Sequence, residues 1–261
     1  MRRLRPVLAI ARTVLLEAVR RKDIYVIIAL CCGLILIVLT GDFFATTGLV
    51  KFYREISLKL MGAATAIAVL LLATRQLPRE FELRTVYPLL ARPVGRFTFL
   101  IGKGLGVCAA AAFCLGLFML LYSGGSCLLG GAIHWGLLLQ HLYLQLLLAA
   151  VLTAGCFLLS LALNYDAALV IGFLLTFAAN LISSASLTLY ELTNTIGRGL
   201  ILMLTFALPQ FMLFDLSEKT VHGEIWSPLT VGTMLALTLY AAFYISLFTV
   251  GAYALFRRRP L

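Results

Sequence analysis

Apolar residues along this chain come in blocks too long for the strands or one-sided helices of a soluble core. Charge-free runs cover 24–41, 60–74, 104–165, 167–190, 199–214 and 225–256. A helix crosses the roughly 30 Å of bilayer hydrocarbon with about 20 mostly apolar residues, so the run 104–165 holds two crossings and a loop. The pattern predicts an all-α integral membrane fold forming a single domain over 1–261. Its six spans are expected at about 24–40, 56–74, 101–123, 137–163, 167–188 and 229–256. A seventh apolar segment, 200–214, contains Pro209. A straight helix of that length reaches only about 22 Å, so this segment is expected to be a re-entrant hairpin before the last span.

The start of the chain follows a different rule. Over 2–22, Val7, Leu8, Ala11, Val14, Leu15, Ala18 and Val19 recur at helical spacing. Arg5, Arg12, Arg20 and Arg21 lie largely off that stripe, and Pro6 suits a first helical turn. An amphipathic helix lying in the membrane interface is predicted, with arginines toward anionic headgroups. A cleaved signal peptide fits less well, because the apolar stretch that follows is long and no clear small-x-small cleavage site comes after it.

Composition agrees with a membrane protein. Hydrophobic residues make up 62% and charged residues 12% of the 261 residues, against roughly 25% charged in a soluble domain. Mean hydropathy is +1.03. The formal net charge of +10 invites a nucleic-acid reading, but the basic residues lack aromatics interleaved on a soluble face. Their distribution is instead a topology signal. Arginines cluster at both ends of the chain (Arg2, Arg3 and Arg5; Arg257, Arg258 and Arg259), so the positive-inside rule puts both termini in the cytoplasm and requires an even number of crossings. With six spans, the cytoplasmic pieces sum to a net +11 and the external pieces to −1. The expected location is the cytoplasmic (inner) membrane, multi-pass.

Little points to bond-making chemistry. Cys31, Cys32, Cys108, Cys114, Cys127 and Cys156 fall almost wholly in apolar runs without a Cys-x-x-Cys pair, as packing residues do. His134, His141 and His222 share no metal-ligand spacing. The phosphate-loop pattern Gly-x-x-x-x-Gly-Lys-[Ser/Thr] is missing: Gly102-Lys103 is followed by glycine, and Phe97 stands where the first glycine would be. The cytoplasmic acids are scattered and no histidine joins them, which disfavours a lipid-modifying membrane enzyme.

One cytoplasmic loop, 75–100, is long enough to act on something. Pro78 and Pro88 bracket a stretch, Arg79 to Tyr87, that could form two helical turns, with Glu80 and Arg84 at the favourable i,i+4 spacing. Arg92-Pro93, Gly95-Arg96 and Gly102-Lys103 lead into the third span. A basic loop obeying the positive-inside rule accounts for the arginines but not for the acids, the prolines or the apolar Val86, Leu89, Leu90 and Val94. The run Glu80–Gly106, EFELRTVYPLLARPVGRFTFLIGKGLG, resembles the first cytoplasmic loop of type-2 ABC transporter permeases. The matching features are Glu80 or Glu82 leading into a short helix, Leu89-Leu90-Ala91-Arg92-Pro93, Arg96 and Gly102-Lys103. Arg84-Thr85 stands where family members often carry Gly-Thr. The amphipathic start, six spans and hairpin before the last span are similar in layout.

The resemblance implies a non-catalytic membrane subunit of an ATP-driven exporter. Its loop residues Arg79, Glu80, Glu82, Arg84, Arg92 and Arg96 would couple it to a separate cytoplasmic ABC ATPase. ATP and Mg would sit on that partner, with no cofactor or metal on this chain. A second permease subunit, identical or related, is also implied. A membrane scaffold subunit without a substrate of its own is the alternative reading.

Three further features stand out. Thr176, Asn180, Ser183 and Ser184 share one face of the fifth span and could form a polar wall of a translocation path or a dimer seam; ordinary interhelical hydrogen bonding is the plainer account. Gly102 and Gly106 make a weak Gly-x-x-x-Gly packing signal. Asn164 and Asp166 are expected to turn the chain and cap the fifth span.

Overall fold

The computed structural model describes residues 4–20, 25, 28–29, 32–33, 35–36, 46–82, 95–195, 197–199, 201, 203 and 209–258, with the backbone only at 4, 46–47 and 179–192. The described residues are helical with no strand: α1 (Leu4–Arg20), α2 (Thr46–Glu82), α3 (Arg96–Leu128), α4 (Trp135–Ala162), α5 (Tyr165–Leu192), a 3-10 turn (Phe211–Phe214), α6 (Ser217–Val221) and α7 (Val231–Arg258). Four helices among them are long and apolar enough to cross a membrane, namely α2 from Gly48, α3, α4 and α7, and the shorter stretch Tyr165–Ala178 of α5 is also apolar. The expected spans 101–123, 137–163, 167–188 and 229–256 fall on α3, α4, α5 and α7. The first span, 24–40, lies largely outside the described residues, as does the middle of 200–214, whose last four residues form the 3-10 turn.

Helix α2 departs from its expected bounds in both directions. At 37 residues it is about 55 Å long, well beyond the ~30 Å hydrocarbon layer. It begins ten residues before the predicted span, taking in the charged stretch Lys51–Lys59, and runs on through Arg75–Glu82, which the sequence reading placed in a loop. Pro78 lies inside it. Proline removes one backbone hydrogen bond, to the Thr74 carbonyl, but clashes only with the turn before it, and the helix runs four residues further. So Arg79–Glu82 continue α2 and do not begin a separate helix after Pro78. At the other side of the loop, α3 starts at Arg96 behind Gly95.

The helices alternate in direction, so the bundle has two ends. One gathers α1, the end of α2, the start of α3, the α4–α5 turn and the end of α7, and with them Arg75, Arg79, Arg96, Lys103, Arg257 and Arg258. The other gathers the start of α2, the α3–α4 connection and 209–231. Helix α4 runs through the middle, burying Leu144, Val151, Leu152 and Phe157 against α2, α3 and α7. Lipid tails are as apolar as leucine, so such packing rests on close fit and hydrogen bonds, and small residues mark the tight places.

One of these explains the Gly-x-x-x-Gly signal. A Cβ at Gly102 would come within 2.9 Å of the Ile10 Cβ, and one at Gly106 within 2.5 Å of the Val14 Cβ. Successive turns of α1 therefore seat on successive turns of α3, and Ile10, Val14 and Ala18 are buried. The apolar stripe predicted to face the membrane interface is largely covered by protein, while Leu8 remains 64% exposed.

At the far end, α3 stops in a Schellman arrangement. Gly130 takes φ 68°, while the Gly131 N–H donates to the Ser126 carbonyl and the Gly130 N–H to the Cys127 carbonyl, which satisfies carbonyls the helix end leaves open. Helix α2 straps this turn. The Tyr53 hydroxyl donates to the Leu121 carbonyl at 2.8 Å, and the buried Arg54 guanidinium donates to the Ala132 carbonyl. The α4–α5 connection is only Leu163 and Asn164. Asn164 takes the N-cap position in extended conformation, but its side chain makes no capping bond; Asp166 contributes only as an acid in the first turn.

Candidate functional site

The basic end is built by the last two turns of α2. Gln76 and Glu80 are one turn apart, so both point to the same side, and that side faces Lys103 on α3. The Lys103 ammonium donates to the Gln76 amide oxygen at 3.0 Å and to the Glu80 carboxylate at 2.6 Å. Its side chain is 6% exposed and that of Glu80 24%. It also lies 5.8 Å from the Phe99 ring centroid, a favourable position for a cation. An ammonium so enclosed is tolerable because an acid and an amide receive it; removing one partner of a buried pair leaves a charge without compensation.

The next residue, Arg79, points elsewhere. Its guanidinium pairs with Glu17 of α1 at 2.7 Å, so α2 grips α1 and α3 through adjacent residues. Both partners are about half exposed, where an ion pair contributes little by itself. Arg75 lies over the Tyr165 ring at 5.1 Å. Arg75, Pro78, Arg79, Glu82 and Tyr165 enclose a polar cleft of about 330 Å³ between the end of α2 and the start of α5.

Arg96 completes the connection. From the first turn of α3 it donates to the carbonyls of Phe256 at 3.1 Å and Arg257 at 2.9 Å, and it lies 5.6 Å from the Phe256 ring centroid. The last carbonyls of a helix have no intrahelical partner and carry its negative dipole end. A guanidinium is a fitting cap for them, and this one ties α7 to α3.

Of the predicted loop residues, Arg79, Glu80, Glu82 and Arg96 come to this end on two helices, whereas Arg84 and Arg92 lie outside the described residues. The partners Gln76, Lys103 and Glu17 were not anticipated in this role. Gln76 and Glu80 sit at i,i+4, which was visible, but nothing in one sequence links them to a lysine on the next helix.

The second predicted group lies toward the other end. Thr176 is buried and donates to the Gly172 carbonyl at 2.8 Å, the common inward bond of a helical threonine. Asn180, Ser183 and Ser184 continue α5, and their side chains lie outside the described residues. Thr176 stands between two adjoining cavities. One, about 230 Å³, is apolar, with Leu70, Leu152, Gly155, Leu175 and Phe248 on its wall. The other, about 420 Å³, holds Lys59, Gln145, Asp215 and Gly62. Gln145 is 4% exposed.

Beside this second cavity, His141 is fully buried. Its Nδ1 accepts the Leu216 N–H at 3.2 Å, so the proton sits on Nε2, which has no partner among the described residues; the 3.9 Å approach of Asp215 to Nδ1 is then no ion pair. Among the described residues no three His, Cys, Asp or Glu side chains converge as a metal site would need.

No protein-family model matches this chain, and no curated protein matches it. The fold and its apolar helices define the class on their own: an all-helical, multi-pass membrane protein.

Proposed function

We propose that the chain is the transmembrane permease subunit of an ATP-driven transporter of the type-2 ABC kind, an exporter, working with a separate cytoplasmic ATPase and a second permease subunit. One observation carries the reading. The stretch 83–94 connects Glu82 and Gly95, which flank it at the end of the bundle where Glu80–Lys103, Arg79–Glu17 and Arg96–Phe256/Arg257 tie α2, α3, α1 and α7 together. A push on that stretch would move four helices as one, which is what a coupling element must do. The polar cleft around Arg75, Arg79 and Glu82 offers a partner's side chains a place to bind beside it.

In this reading the basic end faces the cytoplasm and both termini lie there. The apolar stretch 24–40 supplies the crossing that brings the count to six with α2, α3, α4, α5 and α7. The segment 200–214 dips into the membrane and returns. ATP and Mg are held by the partner.

The test is to co-express the chain with the ATPase encoded nearest to it, purify through a tag on the chain, and measure hydrolysis in nanodiscs. The ATPase is expected to co-purify, and Arg84→Ala and Arg92→Ala are expected to lower hydrolysis at least severalfold while leaving the chain folded. A chain that purifies folded and alone, or a complex whose hydrolysis ignores both substitutions, would sink the coupling assignment.

A further inference from the structure

The two cavities beside Thr176 lie side by side, one apolar and one polar, and their chemistry together specifies a ligand. They adjoin at Thr176 and Phe211, which line both. Their combined volume lies within the roughly 300–1,000 Å³ usual for small-molecule sites, which are mostly apolar with a few placed polar groups. The inner part is walled by aliphatic and aromatic side chains of α2, α4, α5 and α7. The outer part opens beside Lys59 and Asp215, whose side chains are about half exposed.

Two independent features show that the outer part is prepared for a polar group. The first is Gln145. Its amide makes no hydrogen bond among the described residues, although the residue is only 4% exposed and lies on the cavity wall. Gly62 lies opposite: a Cβ there would approach the amide at 3.5 Å, so the glycine leaves the amide uncovered. An amide open to the cavity and unbonded to the described residues is placed to meet a bound donor or acceptor.

The second is the charge at the mouth. Lys59 is already paired with Glu55 at 2.6 Å, and Asp215 and Glu218 also act on it electrostatically. The lining itself carries one base, Lys59, and one acid, Asp215; with Lys59 already paired to Glu55, Asp215 is the charge that faces a ligand. Asp215 spends one oxygen on the Ser217 N–H and retains acceptor capacity, since a carboxylate offers about four lone-pair sites.

We propose that this pair of cavities binds an amphiphilic organic cation, its amine held between the Gln145 amide oxygen and the Asp215 carboxylate and its hydrocarbon tail in the apolar cavity next to Leu152 and Gly155. The proposal does not depend on the transport reading, because it concerns binding alone. An anionic amphiphile would meet the Asp215 carboxylate, and a neutral one would leave Asp215 without a counter-charge.

The test measures equilibrium binding of radiolabelled dodecylammonium, below its micellar concentration, to the full chain in nanodiscs of phosphatidylcholine. Dodecanol and dodecyl sulfate serve as competitors with the same tail. Saturable binding of one cation per chain is expected, competed about tenfold less well by dodecanol and not by dodecyl sulfate. Asp215→Asn, which keeps the bond to the Ser217 N–H, is expected to weaken cation binding about tenfold, the loss of a charge-assisted contact. Gln145→Leu should weaken it severalfold. Gly155→Leu, filling the tail cavity, should abolish binding of cation and alcohol together while Asp215→Asn spares the alcohol.

Thermal melting of each variant separates a lost site from a lost fold. Nanodiscs with added phosphatidylethanolamine distinguish the source: displacement of the probe identifies an amine-headed lipid from the bilayer, and its persistence identifies a cation arriving from water. Non-saturable uptake equal in empty nanodiscs, equal affinity for the sulfate, or indifference to both Asp215→Asn and Gln145→Leu in folded protein would overturn the assignment.

Discussion

Glu80 and Lys103 meet at 2.6 Å across the α2–α3 pair, with the ammonium 6% exposed and also bonded to Gln76. A pair this enclosed is lost asymmetrically. Glu80→Leu leaves Lys103 with only an amide and should destabilise the protein by about 3 kcal/mol, the low end for breaking a buried pair. Adding Lys103→Met removes the stranded charge and should restore much of that stability. Denaturation of the two single variants and the double variant in one detergent measures the coupling; additive losses would show that the pair is not a unit.

The seat of α1 gives a prediction with a control on the same helix. Gly106→Ala would force a Cβ to within 2.5 Å of Val14, whereas a Cβ at Gly116 meets nothing within 4 Å. Gly106→Ala should cost about 1–3 kcal/mol through overpacking. Gly116→Ala should be neutral or stabilising by up to about 1 kcal/mol, because alanine suits a helix better than glycine. Val14→Gly, alone and in the Gly106→Ala background, removes the Cβ in the way, so the two losses should be less than additive. Melting temperatures of the four variants decide it.

Arg96 holds the last carbonyls of α7, so its effect should be local. Arg96→Gln is expected to speed amide exchange in the final turns of α7, around Tyr253–Arg258, with little change in α4. Arg96→Lys should protect largely, since a single nitrogen, Nη1, donates to both carbonyls and an ammonium also carries several donors on one nitrogen. Exchange unaltered at the end of α7 would refute the capping role.

At the opposite end, a Cβ on Gly125 would lie 1.9 Å from the Tyr53 hydroxyl oxygen. Gly125→Ala should therefore destabilise by about 1–3 kcal/mol. Tyr53→Phe alone should cost about 1 kcal/mol for its lost bond to Leu121. Combining Gly125→Ala with Tyr53→Ala, which removes both the hydroxyl oxygen and the ring carbon that lies 2.3 Å away, should cost less than the sum of those two single losses. Strictly additive losses would place the clash elsewhere.

Apolar run lengths located α3, α4, α5 and α7 to within a few residues because, in a membrane, span length and hydrophobicity are one physical requirement. They failed at α2. A helix does not stop where the bilayer does, and charged residues such as Arg54 and Lys59 continue it once their side chains find carbonyls or acids. Pro78 misled for a related reason, since a proline damages the turn before it and not the turn after. The basic end was legible as a charge cluster through Arg79, Glu80 and Arg96, but its pairing was not. The sequence does not say that Lys103 turns to Gln76 and Glu80, nor that Arg96 reaches α7 some 160 residues later. Gln145 gave no signal, because one glutamine in an apolar helix looks the same whether it packs, bonds or waits for a ligand.

The fit of Val14 against Gly106 also has a consequence in time. The ribosome completes α1 about 90 residues before it makes the glycine that receives it. At roughly 5–20 residues per second, α1 spends several seconds without its seat, its stripe of Ile10, Val14 and Ala18 uncovered. Its arginines suit it to spend that interval on the membrane surface. The stripe of Ile10, Val14 and Ala18 thus becomes internal packing only when the third helix arrives.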